Sequence, residues 1–142
     1  MNNLHLPDVN VLVALLHPGH VYHQNVQQWF TGVERFATTP ITEVGLLRIS
    51  LNPVVMGAEI CVADALASLR SLRSHPRAEF LPDDSSLAQA TIDLIGLAGH
   101  KQTTDLHLVN LAAIRNAYLV TLDTKIRPTL APGDQDRVMV LI

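Results

Sequence analysis

Four carboxylates in this sequence stand where acidic side chains can do chemistry, at the boundaries of its expected strands and helices. Asp8 follows the apolar stretch NLHL, and Asp123 follows YLVTL. Glu43 and Asp105 each fall in the first turn of an expected helix. Burying a lone carboxylate costs several kcal/mol, roughly, unless it is paired or binds a metal. Acids at such positions therefore favour either local capping roles or a shared site.

Each acid taken alone is more typical of a structural role than of a site. Asp8 can cap the following helix, Glu43 and Asp105 can complement a helix dipole, and Asp123 can serve a turn. Gathered together, the four would repel one another, and a hard divalent cation is the efficient remedy. Mg²⁺ and Mn²⁺ prefer carboxylate, amide and water oxygens. A site of this type suits phosphodiester hydrolysis, because the metal polarises a phosphoryl oxygen and activates water.

The elements that must position these acids alternate along the chain. Short apolar runs predict strands at NLHL, RFATT, AEFL, YLVTL and RVMVLI. Helical spacing predicts helices between them, including one from Ser85 to about Leu97 that Asp83 and Asp84 would cap. Such alternation predicts an α/β fold with a mainly parallel central sheet between helical layers. Parallel strands end on one edge, where the four acids would converge.

Composition agrees with a globular chain of one domain, residues 1–142, with 48% hydrophobic and 16% charged residues. The lone Cys61 excludes an internal disulfide. No leader-like or membrane-spanning apolar run is visible, so we expect a cytoplasmic protein with no membrane partner. The net charge is −3, from ten basic and thirteen acidic residues. Without the four acids above, nine acidic residues face ten basic ones, a balance of +1 that allows a phosphate-rich substrate.

The sequence resembles PIN-domain ribonucleases, and most closely the VapC toxins of bacterial toxin–antitoxin pairs. The matching stretches, LPDVNVLVAL, TTPITEVGLLRISLNP, TTDLHLVNLAA and LVTLDTKI, stand in the family's order and cover essentially the whole chain. The resemblance implies a three-layer α/β/α sandwich and a Mg²⁺- or Mn²⁺-dependent endoribonuclease. It assigns Asp8, Glu43, Asp105 and Asp123 to the acidic metal-binding quartet, with Asn10 and Thr121 as supporting polar residues.

One position departs from the family pattern. Many PIN domains carry another acid two residues after the last Asp, where this chain has Lys125. This lysine puts a second metal site in doubt and offers a positive charge to substrate phosphate. Arg48, five residues after Glu43, is expected to form either a structural ion pair or a phosphate contact. The resemblance further implies an RNA substrate, a homodimer and a VapB-type antitoxin, for which the leucine-rich helices between Val44 and Leu72 are the candidate surface.

Other polar and aromatic features receive structural interpretations. His107 is expected to be partly buried and hydrogen-bonded. The basic residues Arg70, Arg73 and Arg77 are most typical of a solvated helix face, with RNA steering as the alternative. The aromatic side chains Trp29, Phe30 and Phe36 fit packing better than base stacking.

Two other functions compete with a nuclease. A receiver-type phosphate-accepting domain would need two adjacent acids after its first strand, whereas Asp83 and Asp84 stand in mid-chain. A catalytically silent PIN-fold interaction module would keep the fold without the chemistry. The four carboxylates argue against that second alternative, and Lys125 keeps it open.

Overall fold

One sheet of five strands, all parallel, lies at the centre of the protein. The computed structural model describes residues 3–142, so the first two positions of the expected domain 1–142 lie outside the described residues. The strands run in the order β3-β2-β1-β4-β5. Their bounds are β1 (Leu4–Pro7), β2 (Arg35–Thr38), β3 (Ala78–Phe80), β4 (Tyr118–Thr121) and β5 (Val138–Val140). Because every pairing is parallel, all five carboxyl ends lie on one edge, as the alternating pattern predicts.

Helices cover both faces of this sheet and give three layers, which confirms the expected α/β/α architecture. The first five helices pack on one face, around the fully buried ring of Phe36 and the valines of the first helix. The connection between β3 and β4 supplies the long helix that covers the other face. The helices are α1 (Val9–Leu16), α2 (His23–Gly32), α3 (Pro40–Ser50), α4 (Pro53–Met56), α5 (Val62–Arg73), α6 (Thr103–Ile114) and α7 (Ile126–Thr129).

Strand alternation separates the two faces of the core. Leu4 and Leu6 of β1 are buried with α6, and Leu119 of β4 joins them. Phe36 of β2 points to the opposite layer, where it packs with α1, α3 and α5. Among the described residues, no helix combines the length and the apolar character that crossing a membrane requires.

A close contact between α1 and α3 sets the position of α3 beside the end of β1. A Cβ atom added to Gly45 would lie 2.4 Å from Cγ2 of Val9. Real Cβ atoms do not approach so closely, and the β-branched Val9 has few alternative rotamers. The absence of a side chain at Gly45 therefore allows α3 to pack directly against Val9, the residue that follows Asp8.

The expected helix from Ser85 to Leu97 is wrong. This segment contains a short 3₁₀ turn, Leu87–Gln89, and is otherwise irregular. Its backbone is held by distant side chains, since Oδ1 of Asn110 accepts hydrogen bonds from the amides of Thr91 and Ile92 at 2.7 and 3.3 Å. These bonds supply partners that a helix would otherwise provide. Asp83 and Asp84 likewise do not cap a helix.

The two acids instead attach this segment to α6. Asp83 Oδ1 lies 2.6 Å from Nε2 of His107, and both oxygens of Asp84 accept hydrogen bonds from Arg115 at 2.6 and 2.7 Å. His107 is partly buried and hydrogen-bonded, as the sequence predicts.

Candidate active site

Asp8 occupies the carboxyl end of the central strand β1, and its carboxylate is almost completely buried. Its exposed fraction is 7%, and its amide donates to the carbonyl of Val120 at 2.9 Å. Oδ1 accepts a hydrogen bond from the Val11 amide at 3.2 Å, so Asp8 does cap α1. Oδ2 accepts a hydrogen bond from the hydroxyl of Thr121 on β4. Asp8 is therefore both a helix cap and a member of a polar cluster between β1 and β4.

Thr121 joins Asp8 to Asp123. The fully buried Thr121 hydroxyl donates to Asp8, and its oxygen accepts a hydrogen bond from the Asp123 amide at 3.0 Å. The Asp123 carboxylate accepts a further hydrogen bond from the amide of Lys125 at 2.8 Å. These bonds fix the turn after β4 and place Asp123 at the same edge as Asp8.

Electrostatic coupling brings Asp105 into this group. Burial, helped by the nearby charge of Asp105, raises the pKa of Asp8 to about 6 against the lowering effect of the hydrogen bonds from Thr121 and Val11. Burial also raises the pKa of Asp105, with a second contribution from the charge of Asp123. Raised pKa values from burial and like charges are typical of functional sites. Asp8 and Asp105 therefore resist carrying both of their negative charges in the presence of the nearby Asp123.

A cavity of about 220 Å³ opens beside these aspartates. Asp105 and Asp123 lie on its wall together with Lys101, Gln102 and Lys125. Lys125 is exposed, as is Lys101, so two cations flank two carboxylates at one opening. The two lysines can therefore attract an anionic ligand to a cavity that is also lined by carboxylates.

Glu43 lies in the first turn of α3, as the sequence predicts, but its contacts are with other residues. Its Oε2 accepts a hydrogen bond from the Thr38 hydroxyl at 2.6 Å and lies 3.5 Å from Nε of Arg73. Only 15% of the Glu43 side chain is exposed. The structure therefore brings together Asp8, Asp105 and Asp123, whereas Glu43 is engaged by a cation of α5.

The two remaining polar candidates are both exposed. Asn10 lies in the first turn of α1 and lines two surface grooves, one of which it shares with Asp123. Arg48 lines a groove of about 390 Å³ together with Val9, Val44 and Thr104. Its position is compatible with a ligand contact along α3, and no ion pair with Glu43 is formed.

The donor chemistry of the aspartate cluster fits a hard divalent cation. Three carboxylates and a hydroxyl are oxygen donors, and Mg²⁺ is usually held by one or two carboxylates plus water. Within residues 3–142, no group of three acidic, histidine or cysteine side chains is already arranged to coordinate an ion. The donor atoms of these residues therefore fit a hard divalent cation, which Asp8, Asp105 and Asp123 would hold.

Comparison with known proteins identifies the family. The PIN domain family model matches residues 6–129, most of the chain and every acid discussed above. This chain belongs to the PIN domain family. The match excludes the receiver-type alternative.

Relatives of this PIN domain are named VapC ribonucleases. Ribonuclease VapC38 of Mycobacterium tuberculosis (strain ATCC 25618 / H37Rv) is 43% identical over 120 residues, which cover 83% of this chain and 84% of the relative. Ribonuclease VapC39 of the same organism is 41% identical over 131 residues, 90% of this chain and 94% of the relative. The chain is therefore a PIN domain of the VapC type.

A solved structure supports the fold of this PIN domain. The crystal structure of Mycobacterium tuberculosis VapC20, described as a toxin that cleaves the sarcin–ricin loop, superposes with a TM-score of 0.58. The match covers 87% of this chain and 93% of the other at 12% sequence identity. Similarity at that identity extends to the fold and not to the substrate.

Sequence reasoning missed Lys101 and Phe80, two residues of this PIN domain near the acids, and assigned Arg73 only to a solvated helix face or to RNA steering. Lys101 precedes α6 and lines the cavity, Arg73 contacts Glu43, and Phe80 ends β3 under the Arg73 guanidinium. A signal for Phe80 was present, because it ends a strand of a parallel sheet, on the edge where sites form. The other two contacts depend on tertiary placement and have no local signature.

Proposed function

We propose that this protein is a VapC-type endoribonuclease toxin that hydrolyses RNA phosphodiester bonds with the help of Mg²⁺ or Mn²⁺. The observation that carries the proposal is the cluster of Asp8, Asp105 and Asp123 at the carboxyl edge of the sheet, in which the pKa values of Asp8 and Asp105 are raised. An acidic cluster of this kind is costly without a counter-charge, which a divalent cation supplies.

Each residue of the cluster has a distinct task in this proposal. Asp8, Asp105 and Asp123 would hold the cation, which would polarise the phosphate and lower the pKa of an attacking water. Thr121 holds Asp8 in place and orients the turn that carries Asp123. Glu43 would act at the side of the cluster, where Arg73 limits its freedom.

Lys101 and Lys125 would attract and position the RNA phosphate. Both lysines lie at the cavity that Asp105 and Asp123 line, so they offset the repulsion between the acids and a polyanion. Lysine is a point-charge donor that contacts phosphate without demanding one geometry. The lysine at position 125 therefore serves substrate binding where other PIN domains have an acid.

Cleavage of RNA by the purified chain tests the proposal. Total RNA is incubated with antitoxin-free protein in Mg²⁺, in Mn²⁺ and in EDTA, alongside Asp105→Asn. The matched control is Asp64→Asn, which changes an exposed aspartate in the first turn of α5. We expect discrete fragments from the wild type and Asp64→Asn with metal only, and none from Asp105→Asn. Folded wild-type protein that leaves RNA intact with both metals would contradict the proposal.

The competing function is a catalytically silent PIN-fold module, which the cation at Lys125 favours. A calorimetric titration with Mn²⁺ separates the two, because a silent module would release no heat of binding. We expect uptake that Asp8→Asn or Asp123→Asn weakens at least tenfold, since each substitution removes a charged oxygen ligand.

We further propose that a VapB-type antitoxin covers the surface formed by α3, α4 and α5. Val44, Val54, Val55 and Val62 in this region are 54%, 90%, 61% and 58% exposed. Exposed apolar side chains in such numbers are typical of a protein interface. Co-expression with the antitoxin should give a complex that Val55→Asp weakens and that the exposed control Asn25→Asp does not.

A homodimer is proposed from the same family resemblance. Light scattering on the antitoxin-free protein should give a mass of twice 15.5 kDa. A monomeric mass across the micromolar range would contradict this part of the proposal without affecting the nuclease.

A further inference from the structure

Beside the carboxylates, Arg73 and Phe80 form an exposed cation–aromatic pair on the same edge of the sheet. The guanidinium carbon of Arg73 lies 4.4 Å from the centroid of the Phe80 ring. Phe80 is the last residue of β3, and its register partner is Thr38, the last residue of β2. Thr38 donates to Glu43, and Glu43 contacts Arg73. The pair is therefore continuous with the polar residues at the carboxyl edge.

The pair is held in position and yet remains accessible. Glu43 contacts Nε of Arg73, which is one of the five N–H positions that a guanidinium offers, and 47% of the Arg73 side chain is exposed. The Phe80 residue is 40% exposed although it belongs to a strand. Among residues 3–142, Phe80 is the only exposed Phe, Tyr or Trp, so its ring presents a flat apolar face to a ligand.

The protein's other two arginine–aromatic pairs in the described residues have structural uses. Arg77 lies 4.7 Å from the Phe30 ring and donates to the backbone carbonyls of Phe30 and Val33. Arg137 lies 6.0 Å from the ring of Tyr118, at the opposite edge of the sheet, and donates to the Ala117 carbonyl. The Arg73–Phe80 pair donates to no backbone carbonyl in the contacts described and lies on the side of the acids.

We propose that the Arg73–Phe80 pair binds one nucleotide of single-stranded RNA beside the cleavage site. A base stacks on guanidinium and aromatic surfaces, and the positive charge attracts the adjoining phosphate. A nucleotide presents both a flat aromatic face and an anion, which matches the two members of the pair. This inference rests on the proposed function and names the residues that position its substrate.

RNA binding without cleavage tests the inference separately from catalysis. A fluorescein-labelled 15-nucleotide single-stranded RNA of mixed sequence is titrated in EDTA with the full-length chain carrying Asp105→Asn. In this background we expect Phe80→Ala and Arg73→Ala each to weaken binding about tenfold. Arg73→Ala should also lower the slope of log Kd against log salt concentration by about 0.7, the loss of one phosphate contact with a single strand.

Two control variants match these changes. Arg70→Ala removes the same charge from the same helix, and Arg137→Ala removes the arginine of the pair at the opposite edge. The Kd of each control variant for the RNA should stay within twofold of the Kd of the parent Asp105→Asn chain. Phe80→Tyr should bind as the parent does, whereas Phe80→Leu should resemble Phe80→Ala, because leucine retains apolar volume without a ring.

Several outcomes would overturn the inference. The inference would be overturned if Phe80→Ala and Arg73→Ala bound the RNA as tightly as the parent does. It would also be overturned if Phe80→Leu kept the parent's affinity for the RNA. If such variants bind normally while the wild type still cleaves the RNA in Mg²⁺ or Mn²⁺, the nucleotide site fails and the nuclease stands. A wild type that neither binds nor cleaves RNA would overturn both. Circular dichroism melting of each variant confirms that a loss of binding comes from folded protein.

Discussion

Thr121 and Asp8, 113 positions apart in the chain, share a buried hydrogen bond between neighbouring central strands. The threonine hydroxyl donates to the carboxylate and accepts from the amide of Asp123, so one side chain connects two acids of the cluster. Geometry at the site therefore depends on a residue that has no charge of its own.

Thr121→Val tests that dependence while keeping the shape of the side chain. The variant leaves Asp8 without its hydroxyl donor and the Asp123 amide without its acceptor. An unpaired buried group costs about 1–3 kcal/mol, so we expect the free energy of unfolding in urea to fall by that amount. RNA cleavage should fall at least tenfold. Thr121→Ser, which retains the hydroxyl, should keep most of the stability and most of the cleavage activity. Equal losses of stability and activity in Thr121→Val and Thr121→Ser would contradict the role of the hydroxyl.

Asp8 gives the metal-free protein a pH-dependent stability. Its pKa is about 6 in the folded protein against an ordinary value of 3.8, so the folded state binds the proton more tightly than the unfolded state. Burial of Asp8 costs no stability at pH values below its ordinary pKa. The cost grows as the pH rises through the window between the ordinary and the folded-state pKa, to about 3 kcal/mol at most. In EDTA, the free energy of unfolding should therefore fall by about 1 kcal/mol between pH 5 and pH 8.

Asp8→Asn should remove this fall and should exceed the wild type in stability at pH 8. The matched control Asp64→Asn changes an exposed aspartate and should keep the wild-type pH dependence. If the free energy of unfolding of Asp8→Asn fell with pH as steeply as that of the wild type, Asp8 would not be the group that titrates.

The cation at position 125 should strengthen RNA binding and weaken metal binding. Lys125 faces the cavity that Asp105 and Asp123 line, so its charge attracts phosphate and repels a divalent ion. We expect Lys125→Ala to weaken RNA binding several-fold, with a shallower salt dependence, and to tighten Mn²⁺ binding in calorimetry. Arg127→Ala, which removes an exposed charge two residues away, should change neither constant by more than twofold. Unchanged Mn²⁺ affinity in Lys125→Ala would contradict the electrostatic argument.

Most of the sheet and the aspartate cluster are predictable from the sequence, because their signals are local. A short apolar run followed by Asp8 or Asp123 places each acid at a strand end, and the parallel topology then brings the ends together. Glu43 is predictable in its helix position but not in its contacts, because Arg73 reaches it from α5. Local sequence patterns do not predict contacts between side chains of different helices.

The segment between β3 and α6 shows why the rest is not predictable. Its apolar residues recur at spacings that also suit a helix, so Ser85 to Leu97 is expected to be helical. Its actual path depends on hydrogen bonds to Asn110, about 20 residues further on, and to Asp134, 41 residues beyond Asp93. Backbone partners so remote in sequence leave no periodic signal in the segment itself.

Asn110→Ala should loosen this segment. The side chain is fully buried, and its Oδ1 accepts the amides of Thr91 and Ile92. Because both amides lose their partner, we expect the free energy of unfolding to fall by about 2–4 kcal/mol. Limited proteolysis should then cut first between residues 82 and 99. Asn25→Ala, at an exposed position on α2, should leave both measurements unchanged, and an equally resistant Asn110→Ala would contradict the anchoring role.

The order of the strands has a consequence for how the protein is made. β1 occupies the middle of the sheet, but one of its two neighbours, β4, begins only at Tyr118. A nascent chain synthesised only as far as α6 therefore contains Asp8 and Asp105 but lacks Thr121 and Asp123. The acidic cluster cannot assemble on a ribosome-bound chain of that length. For an enzyme that cuts RNA, the site therefore forms only after the chain has been synthesised beyond Asp123.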